Sequence, residues 1–172
     1  ERRGETGPVA AALEPMRSLR RIEAPGTIDG GDVLRMGSTV FIGVSTRPNQ
    51  EAIEQFAGVA AEDGLAVVAV PVSGVLHLKS AVVGLDDETV LIAPRCVDVD
   101  CFAQYRQIEK AASEAHLASV LRLRGGVLGM TTTAPQTTQR LRAAGFAPVL
   151  VDSSEFQAAD GGLTCLSILI EG

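Results

Sequence analysis

The sequence repeats one order of elements: two short apolar strands joined by a turn, an amphipathic helix, and then usually a further strand. In the first repeat a Gly37-Ser38 turn separates the first two strands, and Asn49 is placed to cap the helix that Gly64 ends. The predicted strands are 33–36, 40–43 and 66–70, and the predicted helix is 50–63. Because one such unit cannot bury its own apolar face, like units must pack against one another. The repetition therefore predicts an α/β fold of repeated units, with a plain α/β sandwich as the alternative.

Two further repeats follow, and the second is less regular than the first. The second repeat has a polar turn around Asp87 but no evident closing strand; its strands are 78–84 and 89–93, and its helix lies near 102–112. The third repeat turns at Gly125-Gly126; its strands are 119–123, 127–130 and 148–151, and its helix is 135–144. We also expect a last strand at 163–170, and a helix broken by Pro15 followed by a strand near 20–23 at the start.

Length and charge limit the classes of function. A chain of 172 residues, 46% of them hydrophobic, is long enough for one packed domain and too short to suggest two. The formal net charge is −6 and the basic residues are dispersed, which argues against nucleic acid as a partner. No apolar run approaches the roughly 18 residues that span a bilayer, and the first residues carry no apolar signal core. We therefore expect a cytoplasmic protein that does not bind a membrane.

Cysteine and histidine give the first functional lead. Three cysteines in a chain without an export signal predict free thiols rather than disulfides. Cys165 follows the pair Gly161-Gly162, a turn that could deliver a nucleophile to a cleft; a buried structural cysteine is the alternative. A thiol nucleophile needs a proton shuttle, and the chain has two histidines. His77 enters an apolar strand on the same face as Lys79, and its neighbours alone favour a core histidine, whereas the sequence around His116 indicates a solvated loop.

Carboxylates and an arginine complete the candidate set. Asp29 and Asp32 flank a glycine pair at the start of a strand, which is typical of a close ligand approach or of a tight turn with solvated aspartates. Arg47 ends a strand and could hold a carboxylate through two parallel N–H bonds, although a surface arginine is the common explanation. Cys96 and Cys101 are not accompanied by a second Cys/His pair with zinc spacing, so we expect no metal site.

These signals occur together in an order that resembles the dimethylarginine dimethylaminohydrolases of the guanidino-group-modifying, or pentein, superfamily. Each matching stretch is short, but five in sequence order make coincidence implausible. The stretches are Arg2-Arg3-Gly4-Glu5-Thr6, Gly26-Thr27-Ile28-Asp29-Gly30-Gly31-Asp32, Ile42-Gly43-Val44-Ser45-Thr46-Arg47-Pro48-Asn49, Val75-Leu76-His77-Leu78-Lys79-Ser80 and Asp160-Gly161-Gly162-Leu163-Thr164-Cys165-Leu166-Ser167.

The resemblance implies a fold and a set of roles. The expected fold is a five-unit α/β propeller, of which about three units are visible, so that 1–172 forms one catalytic domain lacking roughly the first third. The family's nucleophile matches Cys165, its proton-transfer histidine matches His77, and the acid that orients the histidine matches Asp29. Arg47 matches a substrate-binding position and would hold the α-carboxylate. Asp160 and the main chain of Ala159 match further positions that line the substrate pocket.

The resemblance also implies a reaction. Cys165 would attack the guanidinium carbon of an N-omega-methylated arginine, form a covalent thiouronium intermediate and release citrulline and a methylamine, with no metal or organic cofactor. Lys79 stands where arginine deiminases carry an acidic residue, which favours dimethylarginine over arginine as the small-molecule partner. An arginine deiminase-like hydrolase and a non-catalytic protein that binds arginine derivatives are the alternatives, and a homodimer is a candidate assembly.

Overall fold

Three sheets of the same design follow one another along the chain. The computed structural model describes residues 4–45, 48–159, 161–165 and 167–170. Each sheet has three strands: an antiparallel hairpin and a third strand that runs parallel to the second strand of the hairpin. The predicted repetition of an α/β unit is therefore confirmed in its strands, and the sheets are mixed rather than purely parallel or antiparallel.

The first sheet follows a short N-terminal helix, α1 (Thr6–Leu13), and lies as the sequence predicts. Its elements are β1 (Val33–Met36), β2 (Thr39–Val44), α2 (Gln50–Glu62) and β3 (Ala66–Pro71). Asn49 caps α2, since its side chain accepts a hydrogen bond from the backbone N–H of Ala52 at 3.1 Å. Gly64 follows the helix with φ +69°, a conformation that glycine adopts without strain. The predicted strand near 20–23 is wrong, because that segment pairs with no strand among the described residues.

The second sheet differs from its prediction in two places. It comprises β4 (Val82–Gly84), β5 (Thr89–Ile92) and β6 (Arg106–Glu109), and a one-turn helix, α3 (Leu78–Ala81), precedes it. The predicted strand 78–84 is wrong in its first half, because Asp32 accepts a hydrogen bond from the backbone N–H of Leu78 at 2.9 Å and so holds the start of a helical turn.

The helix predicted near 102–112 is also wrong. Residues Arg106–Glu109 instead pair in parallel with Thr89–Ile92, and Ile108 is buried there. Gln107 supports the strand, since its side-chain amide donates to the carbonyls of Val99 and Phe102 at 3.0 and 3.1 Å. Pairing with the edge of β5 thus outweighs the local preference of residues 106–109 for helix, as tertiary context commonly does.

The third sheet comprises β7 (Val120–Arg122), β8 (Leu128–Thr131) and β9 (Val149–Val151), with α4 (Pro135–Ala143) between the last two and α5 (Ser154–Gln157) after them. Glu114, which lies before β7 in the chain, caps the N-terminus of α4. Its carboxylate accepts hydrogen bonds from the backbone N–H groups of Gln136 and Thr137 at 2.9 and 2.7 Å. The strand predicted at 163–170 is wrong: residues 163–165 form a turn, and the described residues 167–170 pair with no strand.

Apolar packing joins each sheet to the next. One buried cluster lies between the first and second sheets and includes Phe41 and Phe102, whose ring centroids are 4.6 Å apart. A second cluster lies between the second and third sheets and includes Leu91 and Met130. In the third sheet, the three residues of β9 are exposed. In the described ranges of the chain, no helix has the length and apolar character needed to cross a bilayer.

Candidate active site

A cavity of about 350 Å³ lies where three distant parts of the chain meet. Its described walls come from residues within 74–80, from 116–119, and from Gln157, Gly161, Gly162, Thr164 and Cys165. His77 and Cys165 both line it, although 88 positions separate them in sequence. The fold therefore brings the predicted nucleophile and the predicted proton-transfer residue to one cavity.

His77 occupies a closely packed position at the start of α3. Its backbone is extended, and its carbonyl accepts from the N–H of Ser80 at 3.0 Å, which begins the helical turn. The imidazole lies against the backbone of Gly31, where an added Cβ would stand 2.6 Å from the ring carbon Cγ. Asp29 lies on the same loop, with its Oδ1 3.4 Å from the imidazole Nε2. The same carboxylate oxygen accepts from the N–H of Gly31 at 2.8 Å, so the loop fixes the carboxylate beside the ring.

Asp32, which the sequence offered as a carboxylate near a ligand or in a solvated turn, instead supports the histidine from within the core. Its side chain is fully buried, and its two carboxylate oxygens accept from the N–H of Leu78 at 2.9 Å and from the hydroxyl of Ser45 at 3.5 Å. Burial raises the pKa of this carboxyl, and the hydrogen bond from Leu78 opposes that shift. Gly43 leaves room for it, because a Cβ there would meet Asp32 Oδ1 at 2.7 Å. Asp32 therefore ties the first sheet to the helix that follows His77.

Cys165 lies in an exposed turn that follows α5. The N–H of Gly161 donates to the carbonyl of Phe156 at 2.8 Å and ends the helix, and the N–H of Cys165 donates to the carbonyl of Gly162 at 3.1 Å. The thiol is free, and its residue is exposed at the cavity. The glycine pair thus leads from α5 into the turn that carries the thiol, and the buried alternative for Cys165 is wrong.

Several other polar side chains line the cavity. Lys79 is half-buried there; burial lowers its pKa, while the nearby Cys165 and Asp29 act in the opposite direction. The sequence indicated that His116 is a solvated loop residue, and it is indeed exposed, but it also lines the cavity. Gln157 lies in the opposite wall, and its side-chain amide donates to the carbonyl of Leu117 at 3.0 Å. Gln157 belongs to none of the stretches that carry the family resemblance, so local sequence did not reveal it.

The substrate-binding predictions fare differently. Arg47 and Asp160 lie outside the described residues, so their roles stay predictions. Ala159 is exposed after α5, where its N–H donates to the carbonyl of Phe156 at 3.1 Å, and it is not among the described residues that line the cavity.

The two remaining cysteines lie away from the cavity. Cys96 is buried in the cluster between the first two sheets, and Cys101 is partly buried at its edge. Burial raises the pKa of the Cys101 thiol. Across the described part of the chain, no group of three or more His, Cys, Asp or Glu side chains is arranged to hold a metal ion.

Comparison with known proteins establishes the family. A family model described as arginine deiminase matches residues 16–122. The chain belongs to the arginine deiminase family. The resemblance predicted from the sequence, to the pentein superfamily that includes the dimethylarginine dimethylaminohydrolases, is thereby confirmed.

Members of this family similar to the chain are named dimethylarginine dimethylaminohydrolases. One, from Streptomyces coelicolor, is 40% identical over 169 residues, which cover 97% of this chain and 64% of that protein. A structure of the Pseudomonas aeruginosa enzyme, a cysteine-to-serine variant complexed with citrulline, superimposes with a TM-score of 0.88 at 29% identity. It is matched over 96% of this chain and 65% of that one.

A second family structure of this name is a histidine-to-glycine variant with an adduct of S-methyl-L-thiocitrulline. It matches with a TM-score of 0.88 at 30% identity, over 96% of this chain and 65% of that one. The chain therefore has the α/β fold of these penteins and spans slightly less than two thirds of the relatives' length.

Proposed function

We propose that this protein hydrolyses N-omega-methylated arginines such as dimethylarginine to citrulline and methylamines. The observation that carries the proposal is the cavity in which an exposed thiol, Cys165, and an imidazole, His77, come together, with the Asp29 carboxylate 3.4 Å from that ring. A thiol, a proton shuttle and an orienting carboxylate are the parts that nucleophilic hydrolysis requires. Similarity to enzymes named dimethylarginine dimethylaminohydrolase supports the choice of substrate.

The first half of the reaction forms a covalent intermediate. The thiolate of Cys165 attacks the planar guanidinium carbon, so that a C–S bond forms. The C–N bond to the methylated nitrogen then breaks, and His77 gives its proton to the departing amine. A thiouronium group remains attached to the protein, and Asp29 stabilises the imidazolium and fixes which ring nitrogen faces the substrate.

The second half releases citrulline. His77, now neutral, accepts a proton from a water molecule that attacks the thiouronium carbon. The C–S bond then breaks, the remaining hydroxyl proton leaves to solvent as the ureido group of citrulline forms, and the thiolate of Cys165 is regenerated. Arg47 would hold the α-carboxylate of the substrate, while Asp160 and the main chain of Ala159 would complete the pocket. All of these steps use side chains of the protein itself and require no metal or organic cofactor.

The finer description of the fold belongs to the same proposal. The three sheets would be three of the five units of an α/β propeller, within one catalytic domain. Their shared strand order and the packing of each sheet on the next support this arrangement. The exposed apolar residues of β9 offer a face on which a further unit would pack. The cytoplasmic location and the homodimer stay predictions.

Trapping the intermediate on the cysteine tests the chemistry directly. A His77→Gly variant incubated with S-methyl-L-thiocitrulline should form a C–S bond at Cys165 with release of methanethiol, because the step that resolves the intermediate needs the imidazole. Intact-mass measurement and peptide mapping would locate the adduct, and Cys165→Ser is the matched control. An adduct on Cys96 or Cys101 instead of Cys165 would contradict the proposed nucleophile.

Substrate choice needs a second measurement. Citrulline release from dimethylarginine should exceed release from arginine at equal concentrations. Faster turnover of arginine would favour the arginine deiminase-like alternative. Binding of dimethylarginine without an adduct or turnover would favour the non-catalytic alternative.

A further inference from the structure

Ser119 lies at the junction between the third sheet and the cysteine turn, which we define as residues 162–165. It directly precedes β7, and its backbone carbonyl accepts from the N–H of Thr131 at 3.2 Å, at the end of the neighbouring strand. Its side-chain Oγ accepts a hydrogen bond from the backbone N–H of Leu163 at 2.9 Å. A residue fixed to the sheet by its backbone therefore holds the cysteine turn by its side chain.

Gly162 fits closely against this serine. A Cβ on Gly162 would lie 2.8 Å from Ser119 Oγ, 3.4 Å from Ser119 Cβ and 4.0 Å from Cys165 Sγ. The Ser119 hydroxyl and the Cys165 thiol thus both lie within 4.0 Å of the place that a Gly162 side chain would occupy. Gly162 is not one of the glycines with positive φ, so its backbone would accept alanine. What opposes a side chain at Gly162 is the serine hydroxyl.

Further hydrogen bonds hold the other residues of the cysteine turn. Ser167 donates through its hydroxyl to the carbonyl of Leu163 at 2.7 Å, so both polar backbone groups of Leu163 are occupied by serine side chains. Cys165 is linked by its N–H to the carbonyl of Gly162 at 3.1 Å. Since the thiol residue is itself exposed, the hydrogen bonds among the described residues of the turn, rather than burial, hold it in place.

We propose that Ser119 is a positioning residue that sets the location of the Cys165 thiol by holding the cysteine turn at the start of β7. For its catalytic consequence the inference rests on the proposed role of Cys165 as nucleophile. A displacement of the reacting atom by about 1 Å lowers a rate by up to about 100-fold. Loss of the Ser119 hydroxyl releases one hydrogen bond of the turn, and we expect a smaller fall, about tenfold, in kcat.

A double-mutant cycle between Ser119 and Gly162 tests the proposal. In the wild-type background Gly162→Ala forces its methyl group against the hydroxyl, and kcat should fall about tenfold. In the Ser119→Ala background the closest remaining contact is 3.4 Å, so the same change should cost less than about threefold. Multiplicative, independent effects of the two substitutions would overturn the proposal.

Two further measurements separate positioning from other roles. Ser119→Ala should lower kcat and leave KM within about twofold, while Ser119→Thr, which keeps the Oγ, should retain most of the rate. A raised KM at unchanged kcat would overturn the proposal, because Ser119 would then act by contacting substrate. Circular dichroism and thermal melting of each variant should show that every variant is folded under the assay conditions.

Labelling of the thiol distinguishes this inference from the proposed function. The rate at which iodoacetamide alkylates Cys165, followed by peptide mapping with Cys101 as internal reference, requires no turnover. Gly162→Ala should change that rate at least about threefold with Ser119 present and leave it nearly unchanged in the Ser119→Ala background. This coupling is expected even if no arginine derivative is hydrolysed; equal changes in both backgrounds would refute the positioning role.

Discussion

His77 and Cys165 face the same cavity, yet the histidine is buried among close contacts, whereas the cysteine is exposed on a turn held by hydrogen bonds. The histidine side comprises residues 29–32, Gly43 and 77–79, and the cysteine side comprises Ser119, 156–159 and 161–165. On the histidine side the imidazole residue is only 8% exposed and lies against a glycine backbone. On the cysteine side the thiol residue is exposed, and single hydrogen bonds from Gly161, Leu163 and Cys165 shape its turn.

The contrast follows from what each group must do in the proposed reaction. A proton shuttle must present one ring nitrogen in a fixed direction, and interiors packed at crystal-like density hold such an orientation. A nucleophile must be open to the carbon atom that it attacks, and an exposed thiol on a turn at the cavity meets that need. We therefore expect substitutions that add volume to act most strongly on the histidine side.

Replacing Gly31 should disturb the position of the His77 imidazole most strongly. In Gly31→Ala the new methyl group would stand 2.6 Å from the imidazole Cγ and must displace the ring. Because such a displacement separates the imidazole from Asp29 and from the reacting atoms, citrulline formation should fall about 100-fold. Steady-state kinetics of citrulline release measure the effect.

Gly30 provides the matched control for that change. It lies on the same loop, has no atom within 4 Å of an added Cβ, and does not have positive φ. Gly30→Ala should therefore leave the rate within about twofold. If both alanine variants lose the same activity, the loop backbone rather than the imidazole contact is responsible, and the comparison fails.

Gly43→Ala tests the support beneath the histidine. Its methyl group would meet Asp32 Oδ1 at 2.7 Å and Leu78 Cβ at 2.8 Å, both in the core. Overpacking of this kind should lower the free energy of unfolding by about 2 kcal/mol, measured by urea denaturation. Gly58→Ala, in α2 with open space around it, should instead raise that free energy by up to about 1 kcal/mol. A stabilising Gly43→Ala would show that the Asp32 contact is not tight.

Lys110 supports the cavity wall from within the core and gives the smallest expected effect. Its ammonium donates to the carbonyl of Ser80 at 2.7 Å and to that of Ala115 at 3.4 Å, next to His116 in the cavity wall. Burial lowers the pKa of Lys110 from 10.5 to about 8, against the opposing influence of Cys96.

The sign of the resulting pH dependence follows from proton counting. Between pH 8 and 10.5 the unfolded chain holds more protons on this lysine than the folded protein does, so stability rises with pH there. From pH 7 to pH 9 the contribution to the free energy of unfolding is about +1 kcal/mol. That gain should disappear in Lys110→Met and persist in Arg142→Met, which removes an exposed cation. Equal pH profiles for the wild type and Lys110→Met would rule out a buried, titrating ammonium.

The sequence predicted elements well where the signal is local. Asn49 caps the helix and Gly64 ends it as expected, because a side-chain cap and a positive φ depend on a few neighbouring residues. The segment Arg106–Glu109 was predicted as helix and forms a strand, because pairing with Thr89–Ile92 is not encoded nearby. Leu78–Ala81 became helical for a similar reason: the carboxylate that holds its first N–H belongs to Asp32, 46 residues earlier.

The sequence by itself determined the repeated hairpins, the free thiols and, through five ordered stretches, the family and the candidate residues Cys165, His77 and Asp29. The tertiary structure alone decided that Gly31 must lack a side chain beside the imidazole and that Ser119 holds the cysteine turn. The physical reason is distance along the chain. Contacts such as the one between Ser119 and Leu163, 44 positions apart, exist only after the sheets have packed, and no local pattern of residues records them.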